Sequence, residues 1–171
     1  MFKLAYVPPA QATGQVKESY GIFPAGMEPP KPMQMLSVSP GVQGIVAQNI
    51  KYFMGHPRLS HQMLASIRYL AAKAFEYPFC IGFNRSLLER MGMEPAEVDA
   101  MVADPSTAPL EPNELVLLGL VADLVRDPAS VTEAAIQRCR DAGWVDSDIF
   151  DACYQAANMR VSGQLMAAFA K

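Results

Sequence analysis

The sequence predicts an all-α protein, with an irregular proline-rich N-terminal arm ahead of a helical body. From residue 39 onward apolar side chains recur at spacings of three and four. Helix start and stop residues punctuate those stretches, and no segment sustains the alternation of a half-buried strand.

Within residues 1–38, Pro8, Pro9, Pro24, Pro29, Pro30 and Pro32 break any long periodicity. One short helix is expected from Gln11 to Tyr20. Leu4, Tyr6, Val7, Tyr20, Ile22 and Phe23 need something to cover, so the segment reads as an arm on a single 171-residue domain. Residues 39–171 form the helical body. Ser39-Pro40 opens a helix with Val42, Ile45, Val46, Ile50 and Phe53 as its apolar stripe, and Gly55 stops it. Leu59 to Glu76 follows. Pro78 then opens a helix over Phe79–Met91, closed by Gly92. Glu94-Pro95 starts a short helix to Ala103. Glu111-Pro112 opens the most apolar one, Leu115 to Val125. Its continuous Leu/Val run also fits a central strand, but acidic residues at its start and Arg126 at its end match a helix macrodipole. Ser130-x-x-Glu133 reads as a capping box for Thr132–Ala142, with Gly143 as the stop. Asp146 or Ser147 caps a last helix to Phe169, striped by Ile149, Cys153, Ala157, Val161 and Leu165.

Composition excludes several function classes. The net charge is −3 and no basic cluster stands out, which argues against nucleic acid as a partner. The longest apolar run, Leu115–Ala122, is too short to cross a bilayer, and Met1-Phe-Lys-Leu-Ala does not open a signal peptide. A soluble, cytoplasmic protein is expected. Cys80, Cys139 and Cys153 are odd in number and widely spaced, so no disulfide framework is expected. With only His56 and His61 beside them they make no zinc site, and neither metal nor cofactor is expected. Eleven Met residues fit core packing or a subunit interface.

The most informative stretch is Tyr77-Pro-Phe-Cys80-Ile-Gly-Phe-Asn84, followed by Arg85 to Gly92 and Glu94-Pro-Ala-Glu97. It resembles the signature of the AhpD-like (alkylhydroperoxidase D / carboxymuconolactone decarboxylase) family, in which a Cys-x-x-Cys pair opens a helix and a His follows four residues later. Cys80 stands at the second Cys, Tyr77 replaces the first and Asn84 replaces the His. The Glu that the peroxidases carry about a dozen residues upstream corresponds by spacing to Ala65. The order Thr132-Glu133, Ala142-Gly143, Ser147-Asp148-Ile149 and Ala157-Asn158-Met159-Arg160 also resembles the family's closing half. The resemblance implies an all-α fold built on helical hairpins, assembled into dimers, trimers or hexamers.

Cys80, in the first turn of a helix, is the candidate reactive thiol, because free N–H groups and the dipole favour a thiolate there. A buried cysteine filling core is the competing reading. His61 is the candidate proton carrier if its helix turns it toward Cys80; a surface histidine is the alternative. Tyr77, Phe79, Asn84 and Arg68 are the candidate ligand contacts, with Tyr77 as a lid or Tyr77 and Phe79 as a plug. Three functions stay open. One is a small-molecule-binding or single-thiol, peroxide-reactive protein with a degraded dithiol site. Another is an active enzyme using relocated residues, a peroxidase-type oxidoreductase first and a decarboxylase-type lyase second. The third is a non-catalytic structural or regulatory oligomer.

Restoring the dithiol alone does not restore a proton relay, because Asn84 and Ala65 do not titrate. Tyr77→Cys is therefore expected to give no efficient peroxide turnover in a coupled thiol-oxidation assay. Robust turnover from that single change would contradict the assignment of Asn84 and Ala65.

Overall fold

A computed structural model describes residues 1–171, and every regular element is helical, with no β-sheet. It divides into two compact units: Met1–His56 with Gln164–Lys171, and Pro57–Gly163. The division falls after the third helix.

The first unit contains α1 (Gly14–Tyr20), α2 (Lys31–Leu36) and α3 (Pro40–Met54). Val16, Tyr20, Met33 and Ala47 make its core, with Val7, Ile22 and Phe23 packed against it. α1 begins at Gly14, later than expected, because Pro9–Gln11 is spent in a 3-10 turn and Gly14 takes a left-handed backbone (φ 50°). α2 was not anticipated. Prolines tolerated in a helix's first turn conceal it, Pro30 preceding the helix and Pro32 lying within it. The arm is clipped down by polar bonds. The Val7 N–H donates to Ser37 Oγ at 2.8 Å, and the Tyr20 hydroxyl donates to the Val7 carbonyl at 2.7 Å. The two ends of the chain meet through an antiparallel bridge between Phe2 and Ala170.

The expected stripe of α3 holds in part: Phe53 is buried and Val46 and Ile50 pack against the core, but Val42 and Ile45 are exposed, and Gln43 and Ala47 are buried. Gln43 can occupy that buried position because its Nε2 donates to the Met33 carbonyl at 3.1 Å.

The second unit holds α4 (His61–Ala74), α5 (Pro78–Arg90), α6 (Pro95–Ala103), α7 (Pro112–Arg126), α8 (Glu133–Asp141) and α9 from Asp146, which continues to Phe169. α4 is the axis of this unit and packs against both α5 and α7. Nine of its fourteen residues are buried, among them Met63, Leu64, Ile67 and Tyr69. Ser60 caps it, its Oγ accepting from the Met63 N–H at 3.0 Å. α7 is a helix, so the strand alternative falls. Glu111 and Glu114 form a capping box at its start, as Glu94 and Glu97 do for α6. The cap of α8 is Thr132, whose Oγ1 accepts from the Ala135 N–H at 3.2 Å; Ser130 lies in the preceding 3-10 turn. Asp127-Pro128 begins that turn and draws Ser130 away from the capping position.

On α9 a four-residue spacing does not stay on one face. Each step of four turns the helix about 40° too far, so the stripe drifts into solvent. Ile149 is buried, but Val161 is exposed; Ala152, Ala156 and Gly163 carry the buried face. The entry to α9 is tied down by Arg58. Its Nε pairs with the buried Asp148 carboxylate at 2.7 Å, its Nη2 donates to the Gly143 carbonyl, and its guanidinium lies 5.4 Å from the Trp144 ring centre. Trp144 in turn donates Nε1–H to the Asn113 carbonyl at 2.8 Å. No helix is long and apolar enough to cross a membrane.

Three helices of this unit end in the same way. After α5 and α8 the backbone passes through Gly92 (φ 95°) and Gly143 (φ 92°), and the next N–H reaches back five residues, Met93 to Leu88 and Trp144 to Cys139. After α4 the Tyr77 N–H reaches the Ala72 carbonyl at 2.9 Å, but the left-handed residue is Glu76 (φ 57°). A side chain there costs roughly 1–2 kcal/mol that glycine avoids. Glu76→Gly is accordingly expected to raise the urea midpoint, by about 0.5–1 kcal/mol of stability, whereas Gly92→Ala lowers it. Equal signs for the two substitutions would contradict this account of the α4 end.

Candidate functional site

The link between α4 and α5 is three residues long, Phe75-Glu76-Tyr77, so the two helices run back antiparallel. Pro78 pre-sets the first turn of α5, and Cys80 follows within it. Cys80 is 7% exposed. Asn84, one turn on, is buried, and its Nδ2 donates to the Cys80 carbonyl at 2.8 Å. Its Oδ1 accepts from Arg68 Nε on α4 at 2.9 Å. The structure thus brings Arg68, Cys80 and Asn84 together in one chain of hydrogen bonds. Asn84 turns both of its polar groups to structure: one fixes the helix start, the other holds a cation.

The electrostatics of the pair are opposed. Burial pushes the Cys80 thiol above its usual value, and the Arg68 charge pulls it part of the way back. Arg68 itself is pushed down to about 10 by burial, with Cys80 acting in the opposite direction. It therefore remains a guanidinium at neutral pH. Arg68 keeps some surface open, yet protein surrounds the guanidinium closely enough for desolvation to dominate. Its terminal nitrogens make no hydrogen bond, and no carboxylate lies within ion-pair distance of them.

Tyr77 is engaged with α9. Its ring lies against α9 at Gly163, where an added Cβ would overlap three ring atoms, and its hydroxyl donates to the Arg160 carbonyl at 3.1 Å. Arg160 returns over the neighbouring Phe75 ring at 4.9 Å. The link is thus clamped onto α9 beside the strained Glu76. Phe79 turns outward, 36% exposed, and stacks on Phe83 at 6.0 Å. Residues 79 and 83 lie on a different face of α5 from 80 and 84, as the 100° step between neighbours requires.

His61 opens α4, at the end of the hairpin away from the link and Cys80. Eleven residues separate it from Ala72, the level of the link, which is about 16 Å at 1.5 Å per residue. The antiparallel hairpin that brings Arg68 to Asn84 is what carries His61 away. His56 stacks on Phe53 within the first unit. Cys139 is fully buried on α8, and burial pushes Cys153 on α9 up to about 11. All three thiols are free. A cleft of about 540 Å³ lies between α7 and α8, lined by Leu115, Val116, Gly119 and Arg138, and contains none of these residues. Sequence reasoning missed Gly163 and Arg160 as partners of the motif. A glycine inside the last helix, at a position flanked by helix formers, was the available signal.

The clamp yields a measurable expectation. Gly163→Ala is expected to lower unfolding stability by about 1–3 kcal/mol, the usual cost of overpacking. In a Tyr77→Ala background the same change is expected to cost much less, because the ring it strikes is gone. Equal costs in both backgrounds, read from urea unfolding, would refute the contact.

No protein-family model matches the sequence, and no curated protein does. Solved structures do. The chain is similar to an uncharacterized peroxidase-related protein from Silicibacter sp. TM1040, with a TM-score of 0.76 at 18% identity over 98% of this chain and 92% of that one. It is also similar to the alkylhydroperoxidase AhpD core of an uncharacterized peroxidase-related protein from Ralstonia eutropha JMP134. There the TM-score is 0.80 at 15% identity, over 98% and 90% of the two chains. Identity at this level speaks for architecture alone, and on that architecture the chain has an AhpD-like fold.

Proposed function

We propose that this protein is a small-molecule-binding, single-thiol member of the AhpD-like architecture, in which Cys80 reacts slowly with peroxide and has no partner thiol of its own. The observation that carries this reading is the Arg68–Asn84–Cys80 chain: a lone sulfur one turn into a helix, with a guanidinium as its charge partner. A dithiol cycle is disfavoured because Tyr77 occupies the first motif position and is committed to α9. A relocated histidine relay is disfavoured because α4 carries His61 to its far end.

The chemistry balances with one protein sulfur. The Cys80 thiolate attacks the outer oxygen of a hydroperoxide; the O–O bond breaks and the alkoxide leaves, taking a proton from solvent to become an alcohol. Cys80 is then a sulfenic acid. A low-molecular-weight thiol condenses with it and releases water, and a second such thiol releases Cys80 as the mixed disulfide is exchanged. Arg68 favours the thiolate in the first step and the anionic sulfenate after it. The same reading includes self-association, which the exposed Phe150 and Val161 on α9 support; sedimentation of the purified chain tests it.

Because burial outweighs the Arg68 charge, the thiolate fraction is small at neutral pH and grows as pH rises. In a Cys139→Ala, Cys153→Ala background, alkylation of Cys80 is expected to accelerate continuously through pH 9, and a 1,3-diketone probe is expected to trap the sulfenic acid after peroxide. A plateau in the alkylation rate near neutral pH would overturn the charge balance drawn here. Absence of any trapped adduct under excess peroxide would overturn the redox reading itself.

A further inference from the structure

The terminal nitrogens of Arg68 leave the site incomplete. A guanidinium has five N–H donors, and here one of them, on Nε, is used. Desolvation weakens the hydration of this charge, and an anion or a hydrogen-bonded acceptor offsets such a cost. Four donors of the planar fork have no partner within the chain and keep access to solvent, and a planar carboxylate is what such a fork fits in bidentate geometry. Asn84 fixes the orientation of the guanidinium from behind, through Nε, which leaves the forked edge as the free one. A guanidinium held by a buried amide presents its fork in a fixed direction.

Several other charges on the surrounding elements have partners of their own. Arg85 of α5 pairs with Glu89 at 2.9 Å and with Asp99 of α6, and Lys73 of α4 acts on Asp99. Glu97 and Glu114 serve the caps of α6 and α7, Asp123 faces Arg126, and Arg160 of α9 lies over Phe75. Arg68 and Cys80 feel no titratable group other than each other.

We propose that Arg68 is the receptor for the carboxylate of a small ligand, and that this ligand and the Cys80 thiolate compete for its single positive charge. The proposal rests on the single-thiol reading of the same site and adds to it a ligand class and a form of regulation. An occupied site has its guanidinium neutralised by the ligand, so Cys80 stays a thiol and is quiet. An empty site leaves the charge to the sulfur, which is then reactive. The coupling is reciprocal by linkage: what the carboxylate does to thiolate formation, thiolate formation does to carboxylate affinity.

Benzoate, with neutral benzamide and inorganic phosphate as controls, tests this on the full-length chain. Benzoate is expected to slow Cys80 alkylation and move its pH profile upward, while benzamide does neither. Calorimetry should show benzoate affinity falling as pH rises through the Cys80 titration, and no such fall in Cys80→Ser, which still binds. Arg68→Gln is expected to weaken benzoate at least tenfold, with Arg68→Lys intermediate because it keeps the charge and loses the fork; circular dichroism establishes that both are folded. Unchanged affinity in Arg68→Gln, an equal effect of benzamide, or tighter binding of phosphate than of benzoate would overturn the assignment. These outcomes are independent of the redox reading. Sulfenic acid formation without benzoate binding sinks this proposal alone, and benzoate binding to a protein whose Cys80 never oxidises sinks the redox reading alone.

Discussion

Arg68 and Asn84 meet across the antiparallel pair α4–α5, and the 2.9 Å bond between them sets the register on which the site depends. Asn84 is the hinge of that arrangement because it works in two directions, accepting from Arg68 and donating to the Cys80 carbonyl. A titratable ring in its place would bring a proton that comes and goes. The amide brings none, and in exchange it gives a permanent orientation to a cation that would otherwise be free to rotate. The side chain at this position fixes the start of α5 and does not titrate.

Both ends of α5 are fixed by backbone geometry. At its start the chain is bent through Glu76 into Tyr77, whose ring and hydroxyl hold the link on α9. At its finish Gly92 turns the chain toward the capping box of α6. Between these fixed ends the burial of Cys80, Asn84 and Leu88 points one face of α5 inward, while Phe79 and Phe83 remain outside. The helix is therefore held in rotation as well as position, so the surroundings of Cys80 are set by backbone geometry at both ends.

The helices were legible where local chemistry decides them. Glu94-Pro95 with Glu97 and Glu111-Pro112 with Glu114 announce their helices through capping boxes that need no tertiary partner, and Gly92 and Gly143 end theirs through backbone conformation alone. Where packing decides, the reading held in part. Phe53, Val46 and Ile50 face the core on α3 as expected, yet Val42 and Ile45 lie outside and Gln43 is inside, because its amide meets the Met33 carbonyl on a helix the sequence did not reveal. The site divided the same way. Cys80 and Asn84 share a helix, so their adjacency follows from a spacing of four; Arg68 lies opposite them through the hairpin's register. Gly163 and Arg160 come from the far end of the chain, and no spacing within the motif points to them.

The close approach of the Tyr77 ring to Gly163 makes the identities of these two positions interdependent over a long stretch of sequence. A larger residue on α9 is tolerable only if the link carries something smaller than a phenol, and a phenol at the link demands bare backbone opposite it.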